Sequence, residues 1–472
     1  MSGKINEEII SQLKSIVGDN NVITSPEEVG VYANDEYVCR QEGCQPEAVV
    51  RPGKVEEVSA VLKLASEYQL PVTPRGGGTG LAGGCVPIYG GVVLSFQRMN
   101  KFLELDRKNQ VAVVESGLTL GEFIRQVEAH GFYFPPHPGD EGAMFGGMIA
   151  TNAGGSRAVK YGGIRNYVRG LEVVLADGQV IHPGGKLIKN SSGYNLVNLF
   201  IGSEGTLGVI TRAIIQVMSK PIFLRTMVIP FNSIEQAIDN VPLIFDRGIL
   251  PMAVEFAGLD VISLSERHLN LNWPTHSGDM HLMIIVDAGS EDDLGKMTDE
   301  IADIVLENGA LDVFVADTAA KQDEVLKIRS EIYEAIKKET VDILDTSVPR
   351  SEIAGHVRKI HEVAQKYGLW LPVFGHAGDG NVHTHLMKAK YENGQMVPIN
   401  VEEIKDKLEK ARQELFQDAA SRGGVISGEH GIGLYKRNYF PLTIEAGQID
   451  LMKKIKQAAD PLGILNPGKI FL

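Results

Sequence analysis

PRGGGTGLAGGCVP, running from Pro74 to Pro87, holds the choice between two folds. Within it, Gly78-x-Gly80-x-x-Gly83 matches the GxGxxG pattern of a doubly wound nucleotide-binding domain. That domain needs a helix beginning inside the motif, and Gly83, Gly84 and Pro87 cannot carry one. A strand-like run, GVVLSF (91 to 96), follows instead, so the doubly wound fold is rejected for this stretch. What remains is a series of backbone N–H groups with no side chains in the way, next to Arg75. Such a loop suits a pyrophosphate, held as an anion in a backbone nest.

Outward from this loop the sequence alternates short apolar strands with few helices. AVVRP (48 to 52), a helix over 56 to 69 and LPVTPR (70 to 75) read as a β-α-β opening. Strands are expected at 102 to 106, 110 to 116, 171 to 181 and 205 to 218, and a helix over 120 to 131. Two further glycine clusters interrupt them, FGGMIATNAGGSRAVKYGG (145 to 163) and IGSEGTLGVIT (201 to 211). Three such loops so close together suggest one extended cofactor with phosphates and a ring. The region reads as an α+β domain ending near Pro221.

After Pro221 glycine thins out and long amphipathic helices appear, over 291 to 309, 319 to 339, 351 to 368 and 401 to 423. Strands at 280 to 288 and 369 to 377 lie between them. This is expected to be a second, α/β domain with an antiparallel sheet and helices on one face. The chain thus divides into an N-terminal helical segment (1–45), a cofactor domain (46–221), a second domain (222–424) and a C-terminal segment (425–472) that returns to the cofactor domain.

With 472 residues, two or three domains are expected. A net charge of −14 argues against a nucleic-acid partner, which wants a basic face. No apolar run approaches the ~20 residues that span a bilayer. The opening MSGKINEEIISQLKSIVG is an amphipathic helical pattern with early acidic residues, unlike a signal peptide, so a cytoplasmic protein is expected. Three cysteines, Cys39, Cys44 and Cys85, supply neither a disulfide framework nor the four thiolates of an iron–sulfur cluster. Any redox chemistry must use another cofactor.

The stretch FGHAGDGNVHTHL, Phe374 to Leu386, carries the second chemical signal. His376 closes a strand, AGDGN turns, and His383 opens the next strand, so both imidazoles converge at one end of a hairpin. SGEHGIG (427 to 433) adds Glu429 and His430 at another glycine turn. Two histidines and a carboxylate leave coordination positions open, as a Lewis-acid site requires. Zn, Mn and Fe(II) all suit such mixed ligands. A bound divalent metal lowers the pKa of a coordinated hydroxyl, and a histidine beside a ligand, such as His430, can take the released proton.

PRGGGTGLAGG, GGMIATNAGG with KYG, GSEGTLGVIT, HAGDGN-x-H, SGEHGIG and PLGILNPGK (461 to 469), in this order over nearly the whole chain, resemble the FAD-linked D-2-hydroxyacid dehydrogenases of the glycolate oxidase D-subunit and D-lactate dehydrogenase type. These belong to the vanillyl-alcohol oxidase and p-cresol methylhydroxylase flavin family. The resemblance implies an FAD-binding domain of two subdomains and an α/β substrate cap. It assigns the cofactor to Arg75, Gly76, Gly77, Gly78, Thr79, Gly80, Gly83 and Gly84, then Pro138, Gly139, Gly146, Gly147, Thr151, Asn152, Gly154, Gly155, Tyr161 and Gly162, then Glu204, Gly208, Val209 and Ile210. It gives His376, His383 and Glu429 as ligands of a divalent metal, His430 as the base, and Arg329 as the arginine that binds the substrate carboxylate, with Tyr333 one turn later. Arg350 is a weaker candidate for that carboxylate.

Several relatives attach flavin through a histidine directly after the RGGG-like turn. Thr79 stands there, so non-covalent FAD is expected. The chain also departs from the family's usual residues at Cys85, His137, Met144, Phe145 and His385. Among relatives it looks most like lactate dehydrogenase subunits that work with a soluble electron-transfer flavoprotein, some of them bifurcating electrons toward NAD. A small D-2-hydroxyacid is the expected substrate, D-lactate ahead of glycolate and D-2-hydroxyglutarate. A direct oxidase using oxygen, a quinone-linked enzyme and a non-catalytic flavin subunit are the competing readings.

Overall fold

The computed structural model describes residues 4–37 and 44–471; Cys39 lies outside them. The chain forms two compact units, one of residues 1–154, 163–220 and 429–472, the other of residues 155–162 and 221–428.

In the first unit the β-α-β opening forms a four-stranded sheet ordered Val22–Ile23, Ala48–Val50, Val92–Ser95, Val72–Arg75. The strands Ala48–Val50 and Val72–Arg75 both run parallel to Val92–Ser95, which lies between them. The helix Val55–Tyr68 makes the crossover, burying Val58, Val61, Leu62 and Ala65. The expected N-terminal helix forms over Glu7–Val17, capped by Asn6 and ended at Gly18. Its Ile9, Leu13 and Val17 enter the same core as Val58, Leu62 and Leu94. The tail joins that sheet too: Val72 N–H donates to Ile464 O at 2.8 Å, and Asn466 N–H to Val72 O at 2.7 Å.

A second, fully antiparallel sheet follows the order Phe102–Asp106, Val111–Glu115, Val209–Gln216, Val168–Val174, Val180–Ile181. The strand expected over 171 to 181 is a hairpin instead. Asp177 and Gly178, the latter at φ +82°, turn the chain between its two arms.

The second unit is built on a seven-stranded antiparallel sheet ordered Phe314–Ala316, Phe223–Phe231, Met280–Ala288, Ala253–Gly258, Val373–His376, Asn381–Met387, Thr340–Ser347. Met280 to Val286 are all buried, which alternation permits only if both faces are covered. Val228, Ala253, Ala257, Met283, Ile285 and Phe374 share one core with Val261, Ile262, Val325, Ile328 and Ile332 of the helices Leu259–Leu269, Ala319–Ser330 and Ile332–Ile336. Residues of the other parity, such as Leu282 and Ile284, are equally buried, and the helices Ile234–Asp246 and Glu291–Glu307 pack on those strands. Helices therefore cover both faces, not one.

The helix expected over 319 to 339 breaks at Glu331, whose φ of −91° and ψ of 6° leave the helical region. Among the described residues, no helix is long and apolar enough to cross a membrane.

Candidate active site

The glycine-rich loops of the first unit wall one cavity. Arg75, Gly76, Gly77, Gly78, Thr79, Gly80 and Gly84 line it from one side, Pro138, Gly146, Gly147, Thr151 and Gly154 from another, and Glu204, Gly208, Val209 and Ile210 from a third. Glu429 and His430 lie in the same wall. No described residue accepts a hydrogen bond from the N–H groups of residues 76 to 80. Five consecutive unpaired donors facing a cavity are a cradle for an anion.

Beneath this cradle lies a buried polar layer. Asp35 accepts from Gly83 N–H at 2.7 Å and from Tyr37 N–H at 3.2 Å. Burial raises its carboxyl to about 6, against the opposing pull of those bonds and of Arg75. The Arg75 guanidinium donates to Asn34 O at 2.7 Å and to Cys85 Sγ at 3.1 Å. It lies against Gly78, where φ is +78° and a Cβ would come 2.1 Å from Nη2, so a side chain there is strained and must displace the guanidinium. Burial pushes the Cys85 thiol up to about 11, so this cysteine stays an unreactive thiol. Lys469 donates to Val86 O at 2.7 Å, and burial brings its ammonium down to about 8.

The SGEHGIG turn is held by Glu204. Its carboxylate accepts from Ile432 N–H and Gly433 N–H, both at 2.8 Å. Burial raises its carboxyl, and those two bonds oppose the rise. Glu429 packs on Gly154, where a Cβ would stand 2.7 Å from Oε2. His430 Nε2 lies 3.9 Å from Glu429 Oε1.

In the second unit the register places Phe374 across from His383, and His376 across from Asn381. Phe374, His376, Asn381, His383 and His385 therefore share one face of the sheet. The His376 and His383 rings stand 5.3 Å apart, edge to face. His376 Nδ1 lies 2.6 Å from Glu255 Oε1, and His383 Nδ1 lies 4.0 Å from Asp345 Oδ1. Arg329 Nη2 lies 2.6 Å from the other Glu255 oxygen, and its guanidinium covers the Phe374 ring at 5.0 Å. Burial alone would raise Glu255, but the charges of His376 and Arg329 outweigh it and hold the carboxyl below its ordinary value. His385 stacks on Phe374 at 4.8 Å, and Tyr333 packs against His385 at 5.8 Å. Asp345 accepts from Asn381 Nδ2 at 2.8 Å and Ser427 Oγ at 2.9 Å, and its carbonyl from Gly428 N–H at 3.0 Å. The chain one residue before Glu429 is thus tied to the strand that pairs with His383.

Two domain families match the sequence: the FAD binding domain over residues 46–184, and the C-terminal domain of FAD linked oxidases over residues 220–470. The chain belongs to the FAD-linked oxidase family. It is 45% identical to a D-lactate dehydrogenase of Archaeoglobus fulgidus, over 89% of this chain and 90% of that one. It is 37% identical to the glycolate oxidase subunit GlcD of Bacillus subtilis, over 99% and 97%. The solved structure of p-cresol methylhydroxylase with substrate bound superposes with a TM-score of 0.78 at 19% identity, covering 98% of this chain and 96% of that one, which places the fold in the vanillyl-alcohol oxidase type.

As an FAD-linked oxidase the chain is an FAD-dependent oxidoreductase, and the unpaired cradle of residues 76 to 80 fits a diphosphate. Six residues expected at FAD are not among those that line this cavity. Gly83 spends its N–H on Asp35, and a Cβ there would strike the Tyr435 ring at 2.5 Å. Gly139 is absent from the cavity wall. Asn152 ends the helix Phe145–Thr151 in the left-handed conformation, at φ 55°. Gly155, Tyr161 and Gly162 belong to the second unit, where the Tyr161 hydroxyl donates to Asp287 at 3.0 Å.

Of the departures from the family's residues, Met144 and Cys85 line the cavity. Phe145 does not; it is buried against Phe123 and Phe134. Arg350 stacks on Phe245, 4.4 Å from the ring centroid. Asp35, Glu255 and Asp345 escaped the sequence reading. Only Glu255 left a signal, as a lone carboxylate inside the apolar run AVEFAG.

Proposed function

We propose that the protein oxidises a small D-2-hydroxyacid, D-lactate first, to the 2-oxoacid, and passes the electrons to a soluble electron-transfer flavoprotein. The observation that carries this reading is the buried layer of His376, His383 and Arg329 on one sheet face. A hydroxyacid presents a hydroxyl and a carboxylate side by side, and this layer offers an imidazole pair beside a guanidinium. Arg329 Nε is buried with no hydrogen-bond partner among the described residues, which leaves a charged donor for the substrate carboxylate. The name of the Archaeoglobus relative favours D-lactate.

Bound FAD supplies the hydride acceptor, and a divalent metal, Zn, Mn or Fe, would lower the pKa of the substrate hydroxyl. His376 and His383 would hold that metal together with Glu429. The donor set fits in its chemistry: imidazole nitrogen and carboxylate oxygen are ligands that Zn, Mn and Fe(II) share, and the Nδ1 of His376 is engaged by Glu255. His430 would take the hydroxyl proton, and Arg329 would fix the acid so that its α-hydrogen is oriented.

Anaerobic mixing with D-lactate should bleach the bound flavin, and chelation should abolish the bleaching. Full reduction after rigorous metal removal would reject the metal role. Faster reduction by glycolate would favour the second reading, suggested by the Bacillus relative's name. Affinity purification from the native cell tests the electron acceptor, and failure of an electron-transfer flavoprotein to co-purify or to accept electrons counts against it.

A further inference from the structure

Glu255 stands outside every motif, yet its carboxylate has two partners chosen from the proposed chemistry. It is 2% exposed and lies directly across from His376 in the sheet register. One oxygen is 2.6 Å from His376 Nδ1 and the other 2.6 Å from Arg329 Nη2. An ionised carboxylate only accepts hydrogen bonds, and a guanidinium only donates. His376 must then donate from Nδ1, and in the neutral ring this places the lone pair on Nε2, the form that binds a metal. An ion pair that merely fastened the helix Ala319–Ser330 to the sheet would need no histidine.

We infer that Glu255 is a positioning residue: it sets His376 in the metal-binding tautomer and holds the Arg329 guanidinium in the same layer, so that metal and substrate carboxylate are bound by one linked unit. The inference rests on the reading of His376 as a metal ligand and of Arg329 as the carboxylate partner.

Replacement of Glu255 by Gln separates the two duties at nearly constant shape. The amide has one accepting end and one donating end. With its oxygen toward Arg329, the NH2 group faces Nδ1 and drives the histidine proton to Nε2. With its oxygen toward His376, the NH2 group faces the guanidinium, donor against donor. One partner is lost in either orientation.

Chelator-treated wild type and E255Q should be titrated with Mn2+, free ion being followed by its paramagnetic resonance, and KM for D-lactate measured after metal loading. E255Q should bind Mn2+ about 10- to 100-fold more weakly, the cost typical of a lost partner to a ligating histidine, and KM should rise. Unchanged Mn2+ affinity and KM, with only a lower melting temperature, would show a structural ion pair and overturn the inference. A wild type that takes up no Mn2+ would overturn the metal reading itself, and this inference with it. Should E255Q not fold, the 15N-histidine spectrum of metal-free wild type decides, with the His376 signals assigned by their loss in H376Q. A proton on Nδ1 supports the inference, and a proton on Nε2 overturns it.

Discussion

Asp35 turns burial into a pH dependence. Its carboxyl sits near 6 in the folded chain against an ordinary value of 3.8, so between these values the native state holds a proton that the unfolded state has released. Stability then falls as pH rises. The contribution is fully present below about pH 4 and lost by about pH 6, and a shift of about 2 units corresponds to about 3 kcal/mol. Denaturant unfolding of wild type and D35N from about pH 4 to about pH 7 should show the stability of wild type falling by that order relative to D35N, and a constant difference would reject it. Glu204 makes a different prediction. Its replacement by Ala leaves the N–H groups of Ile432 and Gly433 without their acceptor, at about 1–3 kcal/mol for each buried donor. E204A should therefore melt lower and reduce its flavin more slowly, because the turn carrying His430 has lost its anchor. H430N should slow reduction by about 100-fold with FAD retained, and an unaffected rate removes His430 as the base.

The hairpin of Val373–His376 and Asn381–Met387 was legible because its turn is local. Gly378, Asp379 and Gly380 reverse the chain within a few residues, and Asp379 serves the turn by accepting from Asn381 N–H at 3.2 Å. Gly380 adopts φ +91°, and a Cβ there would come 2.0 Å from Val348 O. G380A should therefore displace His383 from His376, and Mn2+ titration should show weakened binding beside a loss of stability of about 1–3 kcal/mol. Wild-type affinity in G380A would mean that the turn does not set the spacing of the two rings. The break at Glu331 was not legible, because the helical pattern continues through it. Only packing against the helix Leu259–Leu269 and the sheet shows that residues 332–336 form a helix of their own.

The first unit holds the flavin cradle and His430, and the second holds the imidazole pair and Arg329. Thr79 stands where several relatives carry a flavin-linking histidine, so acid denaturation should release all flavin to the supernatant. Flavin left on the precipitated chain would show a covalent bond elsewhere. The reading of the long C-terminal half as a separate antiparallel α/β layer followed from a composition shift at Pro221. Its single-faced version failed because Met280 to Val286 are buried on both faces of their strand.

The sequence by itself determined the glycine turns, their order, the family they mark and the exclusion of a doubly wound nucleotide fold. Each of these is a property of a few consecutive residues, where backbone freedom and periodicity act directly. Tertiary structure alone decided which carboxylates serve those turns. Asp35 reaches Gly83 across 48 positions, Glu255 reaches His376 across 121, and Glu204 reaches Ile432 across 228. Such partners are chosen by strand order and register, which no local pattern encodes. They become visible only when burial leaves each carboxylate no water and forces it to find a donor from a distant part of the chain.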